Sequence, residues 1–219
     1  IPTCQVPTNV AVSNITQNSV QVSWTAANPV PAMGYEYYIS TSNTPPTAAT
    51  PASGVSAASP VVINGLTPNT VYYIWVRSRC TASDTSLWMP APMVSTTQIP
   101  ATLPYNENFS GPSNFTFTNG TQPNKWETGA AAGNPANGLY ISNDNGLNNA
   151  YNVSAASIVH AYRDIAIPFG TVNATFGYDW RAVGQASSDY MKVWLVPTSY
   201  IPVAGTAIPT GGGRVQING

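Results

Sequence analysis

The stretch Leu66-Thr67-Pro68-Asn69-Thr70-Val71-Tyr72 decides the fold of the first half of this chain. Its spacing, L-x-P-x-T-x-Y, sets an apolar anchor and a proline ahead of a tyrosine that opens a β-strand. In two-sheet antiparallel sandwiches such a tyrosine turns its hydroxyl back onto the backbone of the preceding corner. About forty residues upstream, Val20, Val22 and Trp24 alternate with Ser19, Gln21 and Ser23, the period of a half-buried strand.

Outward from the corner, Val6 to Thr97 is a series of short alternating segments separated by turn residues, the pattern of an all-β sandwich. Strands are expected at Val10–Val12, Ser19–Trp24, Tyr35–Ser40, Val61–Ile63, Val71–Cys80 and Met93–Thr97. Asn14 to Asn18 reads as a turn, and Ala26 to Met33, with Pro29 and Pro31, as a loop. Residues 44–58 read as a Pro-, Ala- and Thr-rich loop with room for one short edge strand.

With these features in place, the segment resembles a fibronectin type III module, an immunoglobulin-like sandwich. Trp24 matches that family's core tryptophan, and Leu66, Pro68, Thr70 and Tyr72 match its corner. The resemblance implies a spacer or adhesive module without catalytic residues. Its best-known cell-binding version carries Arg-Gly-Asp in the loop before the last strand. Here that loop reads Thr81-Ala82-Ser83-Asp84-Thr85-Ser86, which does not support integrin-type recognition. Trp75, alternating with Tyr73 and Arg77, and Trp88 are expected to pack on a sheet rather than stack on a ligand.

The sandwich also gives meaning to the two cysteines. Cys4 precedes the first strand and Cys80 ends the sixth, so alternating strand directions bring both to one pole. A disulfide is expected there, and with it an exported location, extracellular or at the cell surface. The alternative is two free thiols in a reducing compartment.

We expect residues 1–98 to form this module, 99–104 a Pro-containing linker, and 105–219 a second all-β domain of jelly-roll type. Strands are expected at Ile158–Asp164, Val172–Arg181 and Asp189–Pro197, and Arg214 to Gly219 reads as the start of another. The runs N-x-N-F, K-W, L-Y-I-S-N-D-N-G, A-Y-R-D-I, F-x-Y-D-W-R and D-Y-M-K-V-W-L-V-P resemble the MAM-like choice-of-anchor jelly rolls. Those modules occur in large surface and secreted proteins of gliding bacteria with type IX secretion. The resemblance covers the N-terminal part of that module, so the chain reads as a window of a longer protein.

Composition narrows function by exclusion. Hydrophobic residues make up 43 %, enough for real cores, while charged residues are only 7 %, against roughly 25 % in ordinary soluble proteins. With net charge -1 and no basic cluster, nucleic acid is not an expected partner. No apolar run reaches the ~20 residues that span a bilayer.

Catalytic chemistry is poorly supplied. One histidine, His160, excludes a His cluster, and no enzyme activity is expected. Of the carboxylates, Asp179 with Asp189, or Asp144 with Asp164, could converge as a glycosidase pair; pairing of Asp164 with Arg163 and of Asp179 with Arg181 is the plainer reading. No cofactor is required, but Asn143, Asp144 and Asn145 supply oxygens of the kind calcium takes; a plain Asn/Gly turn explains the same residues. Trp126, Trp180 and Tyr140 are candidates for stacking on a sugar. N-x-S/T triplets begin at Asn14, Asn108, Asn114, Asn119, Asn152 and Asn173, and chance in an Asn/Ser/Thr-rich chain accounts for them.

The expected role is adhesion or spacing in a large exported protein. Expected partners are a glycan or protein ligand at an extracellular surface, and the outer-membrane machinery that secretes or anchors the parent. Two rivals stand beside it: an accessory carbohydrate-binding region of a secreted polysaccharide-degrading enzyme, and a structural subunit of an extracellular filament.

Overall fold

The computed structural model describes residues 4–111, 113–132, 137–185 and 188–217. It is all-β, and the chain divides into two compact units, Ile1–Ile99 and Pro100–Gly219.

In the first unit, Thr8–Ser13 (β1), Ser19–Thr25 (β2), Gly54–Ser56 (β4) and Val61–Asn64 (β5) flank Tyr35–Ser40 (β3) in sequence, and Val71–Ser78 (β6), Met89–Pro90 (β7) and Val94–Ser95 (β8) follow. One sheet has the order β1-β2-β5. The other runs β4-β3-β6-β7, with β8 also pairing β6. Alternation then builds the core between them. Val20, Val22 and Trp24 of β2 meet Tyr35 of β3 and Tyr72, Ile74 and Val76 of β6, all at most 9 % exposed. Trp24 stands edge-on to Tyr35 with ring centroids 5.0 Å apart. Fully burying one such side chain contributes on the order of 1.5–3 kcal/mol.

Two expected strands shift. Strand β6 ends at Ser78 because Cys80 is already in a turn, its N–H donating to the Asp84 carbonyl at 3.0 Å. The last strand, expected at Met93–Thr97, contracts to β8, and β7 ahead of it also pairs with β6. Pro92 stands between the two, and a proline nitrogen has no proton for the ladder. The short edge strand within 44–58 forms as β4, at the rim of the larger sheet.

The second unit consists, among the described residues, of two-stranded ladders. Ala101–Thr102 (β9), Thr116–Thr118 (β10), Lys125–Gly129 (β11) and Gly138–Ser142 (β12) come first. His160–Tyr162 (β13), Ile165–Ala166 (β14), Trp194–Leu195 (β15) and Val215–Gln216 (β16) follow. The pairs are β10-β13, β11-β12, β9-β14 and β15-β16. The expected linker 99–104 therefore changes character at its centre. Ala101 is buried and its N–H donates to the Asp164 carbonyl at 2.9 Å, so Ala101 and Thr102, between Pro100 and Pro104, belong to a ladder.

Two longer expectations fail. Val172–Arg181 joins no ladder, and of Asp189–Pro197 only β15 is strand. Ile158–Asp164 contracts to β13. The expected terminal strand forms as β16, and Asn218 and Gly219 lie outside the described residues. The cause is cover: among the described residues, Ala101, Tyr140 and Pro202 are the buried apolar side chains of this unit, whereas Val172, Phe176 and Trp180 stand exposed. Alternation creates a strand only where another strand takes its hydrogen bonds.

Candidate functional site

The tyrosine corner is built as its spacing demands. The Thr67 N–H donates to the Tyr72 hydroxyl oxygen at 2.9 Å, and Leu66 closes the core beneath. The Pro68 carbonyl accepts the Thr70 hydroxyl at 2.9 Å, and Asn69 takes the left-handed backbone (φ 50°) that lets the chain reverse. Thr96, unmarked in the sequence, clamps this corner. Its hydroxyl donates to the Thr67 carbonyl at 2.7 Å and accepts the Thr70 N–H at 3.0 Å, 3 % exposed. A Thr shared between a corner and a later edge strand has no local pattern, so the sequence could not reveal it. Replacing Tyr72 by Phe leaves the Thr67 N–H without that acceptor; a loss of about 1–3 kcal/mol is expected in urea unfolding, with m unchanged.

Cys4 and Cys80 are joined by a disulfide, with Cα atoms 5.6 Å apart. Asp84 lies beside them, the one grouping of His, Cys, Asp or Glu ligand atoms close enough for a metal among the described residues. Both sulfurs are committed to the bond, so this is no metal centre. The loop Thr81–Ser86 is held tightly: the Thr81 hydroxyl accepts the N–H groups of Ser83 and Asp84.

The outer face of the larger sheet carries the most developed polar cluster of the first unit. Glu36 and Arg77 face each other across β3 and β6. Arg77 donates through Nε to Glu36 Oε2 at 2.7 Å, and its Nη2 lies 2.7 Å from the same oxygen. Their side chains are 8 % and 12 % exposed. Arg79 Nε approaches the other carboxylate oxygen at 3.5 Å. Arg77 also stacks 4.2 Å from the Trp88 ring centre and donates to the Ala48 carbonyl at 3.0 Å. The Trp88 ring N–H donates to the Thr47 carbonyl at 3.0 Å. Arg77 and Trp88 thus pin the proline-rich loop to the sheet, over a recess of about 360 Å³ lined by Pro45, Pro46, Trp75 and Leu87. Trp75 is only 5 % exposed, so its expected packing role agrees with its position.

In the second unit the candidate sugar-stacking residues separate. Tyr140 is 4 % exposed and its hydroxyl donates to the Gly146 carbonyl at 2.7 Å, so it cannot offer a ring to a ligand. Trp126 is half-buried, and its ring N–H donates to the Val159 carbonyl at 3.2 Å. Only Trp180, 62 % exposed, keeps its faces open.

The Asn143–Gly146 turn is organised around Asp144. Its Oδ1 accepts the Ser142 hydroxyl at 2.7 Å and the Asn148 N–H at 3.0 Å, and its Oδ2 accepts the Asn148 side-chain amide at 2.7 Å. Gly146 turns at φ +86°, a conformation a side chain would strain. A carboxylate met by three protein donors is a loop staple, and calcium at Asp144 would compete with those hydrogen bonds. The Ser142 and Asn148 hydrogen bonds lower the Asp144 carboxyl from 3.8 to about 2. Because the folded value is depressed, its stabilisation is complete above the unfolded value and is lost as pH falls through the folded one. An NMR titration is therefore expected to place its midpoint near 2, and a chelator to leave the melting midpoint unmoved.

Asp144 and Asp189, one from each expected carboxylate pair, are engaged by neighbouring donors. Asp189 accepts the Tyr151 hydroxyl at 2.6 Å and the Gln185 N–H at 2.7 Å, which lowers its carboxyl. Burial raises Asp164, with Arg163 opposing. His160 contacts the Val203 and Thr206 carbonyls through Nε2 at 3.1 and 3.0 Å, tying a turn to β13. Asn119, one of the N-x-T residues, uses its side-chain amide as a mock strand: Nδ2 donates to the Trp126 carbonyl and Oδ1 accepts the Trp126 N–H. Its nitrogen is thereby committed.

Comparison with known proteins places the first unit. Residues 5–91 match the fibronectin type III domain family, and with the two-sheet order and the corner they constitute a fibronectin type III domain. No curated protein matches the chain. Among solved structures, a run of domains from titin is 19 % identical over 42 % of this chain and 32 % of that one, with a TM-score of 0.35. A computationally redesigned β-sandwich protein is 23 % identical over 43 % and 92 %, also with a TM-score of 0.35. A human fibronectin type III domain is 22 % identical over 51 % and 85 %, with a TM-score of 0.32. The chain thus spans about a third of the titin segment. Among the described residues no helix is long and apolar enough to cross a membrane.

Proposed function

We propose that this chain is a non-catalytic extracellular module of a large secreted or cell-surface protein, acting in adhesion or as a spacer. The observation that carries the reading is the Cys4–Cys80 disulfide within a fibronectin type III domain. Such bonds persist in oxidising compartments, and the domain is generally a structural or interaction module. The Thr-, Ser- and Asn-rich surface, with charge at only 7 % of positions, supports binding by local contact rather than by long-range steering.

The second unit fits the same reading as a MAM-like jelly roll of the choice-of-anchor kind, in a surface adhesin of a gliding bacterium with type IX secretion. Its partners would be a glycan or protein ligand and the outer-membrane secretion or anchoring machinery. The exposure of Trp180 favours one rival, the carbohydrate-binding accessory. Deletion of both units from the parent protein decides between them. Lost surface attachment with no signal on a glycan array is the expected result. Sugar binding that disappears in Trp180→Ala, with attachment intact, would replace adhesion by the carbohydrate role.

A further inference from the structure

Residues 171–181 alternate as a strand should, yet they join no ladder in the described structure. Val172, Phe176, Tyr178, Trp180 and Val183 are 89, 55, 40, 62 and 76 % exposed. The Phe176 and Tyr178 rings lie 5.3 Å apart, which sets them on one side of the segment. A run with a strand's alternation that lies outside any ladder has backbone donors and acceptors that another strand can take.

We propose that residues 176–184 form the seam of a two-fold dimer, pairing antiparallel with the same segment of a second copy about Trp180. The sequence is self-complementary in that register. Asp179 of each copy stands opposite Arg181 of the other, which places both charge pairs on one face. On the other face Trp180 meets its own copy, Tyr178 meets Ala182, and Phe176 meets Gly184, large side chains over small ones. Gly177 opposite Val183 completes the charged face. Moving the centre by one residue sets Asp179 against Asp179, or Arg181 against Arg181, and like charges directly opposite are unfavourable. Charge therefore selects this register over its two neighbours. A closed two-fold interface also satisfies both strands at once, because the same patch serves each partner.

The proposal does not depend on the adhesive role. Its test is sedimentation of the intact 219-residue chain over a wide dilution series. A concentration-dependent dimer is expected, with Arg181→Asp weakening it by about tenfold or more. Adding Asp179→Arg to that variant recreates the opposed pairs in reverse and restores the dimer. Both residues are exposed, so neither change threatens folding. A wild-type chain that stays monomeric throughout, an Arg181→Asp variant that dimerises as well as wild type, or a swapped double variant without recovery would each overturn the proposal.

Discussion

Reducing the Cys4–Cys80 disulfide is expected to lower the stability of the fibronectin type III domain by about 4 kcal/mol. The magnitude follows from sequence separation. The bond spans 76 residues, and in the chain-entropy picture a longer closed loop restricts the unfolded ensemble more, though only logarithmically. For a domain of this size the loss corresponds to a fall of roughly 20 °C in the melting midpoint. Calorimetry of the chain with and without reductant checks it, with Cys4→Ser/Cys80→Ser as the permanent form. The folded contacts change little, because Cys4 is only an N-terminal attachment to the end of β6. A shift of a degree or two would mean that the unfolded chain is already compact.

The second large effect is expected at Glu36. Its carboxylate is the common anion of two guanidiniums, Arg77 at 2.7 Å and Arg79 at 3.5 Å. Glu36→Ala therefore leaves a nearly buried positive charge without its partner and sets two like charges side by side. Removing one member of such a pair costs about 3 kcal/mol or more. The pair itself contributes far less, because desolvating both ions offsets most of their attraction. The double variant Glu36→Leu/Arg77→Met is accordingly expected to be more stable than Glu36→Ala alone, although the Trp88 stack and the Ala48 hydrogen bond are lost with it. Urea unfolding of the wild type, Glu36→Ala and the double variant measures this ordering. A double variant less stable than Glu36→Ala would show that Arg77 acts chiefly through the loop it pins.

What the sequence disclosed follows the range of the forces involved. The corner from Leu66 to Tyr72 was legible because its hydrogen bond closes within five residues. The sheet faces of β2 and β6 were legible because alternation reports burial directly. The cysteine pairing needed the fold first, and then followed from strand direction. Thr96 and the Glu36–Arg77–Trp88 cluster were not legible, since each joins strands distant in sequence and none carries a motif. Pro92 explains why β7 and β8 stay separate only once β6 is known to be the neighbour of both. In the second unit Tyr140 and Trp126 looked like free rings because sequence shows an aromatic side chain but not its cover. Val172–Arg181 carries a strand's alternation without a strand's partner, and alternation alone cannot supply one.

The candidate site shows the same division. Asp144 looked like a calcium ligand on composition, and the loop around it turned out to donate to that carboxylate. Trp180 kept the exposure that a binding residue needs, while the other two candidates became packing.

The proposed surface role requires that the Cys4–Cys80 disulfide of the fibronectin type III domain form in an exported protein, and the state of the two cysteines in the native protein tests that most directly. The protein is taken from its native source with an alkylating reagent present at lysis, and the peptides holding Cys4 and Cys80 are weighed. The prediction is no alkylation before reduction and alkylation of both after it, with the two peptides linked in the unreduced sample. Alkylation of either cysteine without reduction would contradict the export reading, and with it the proposed surface role.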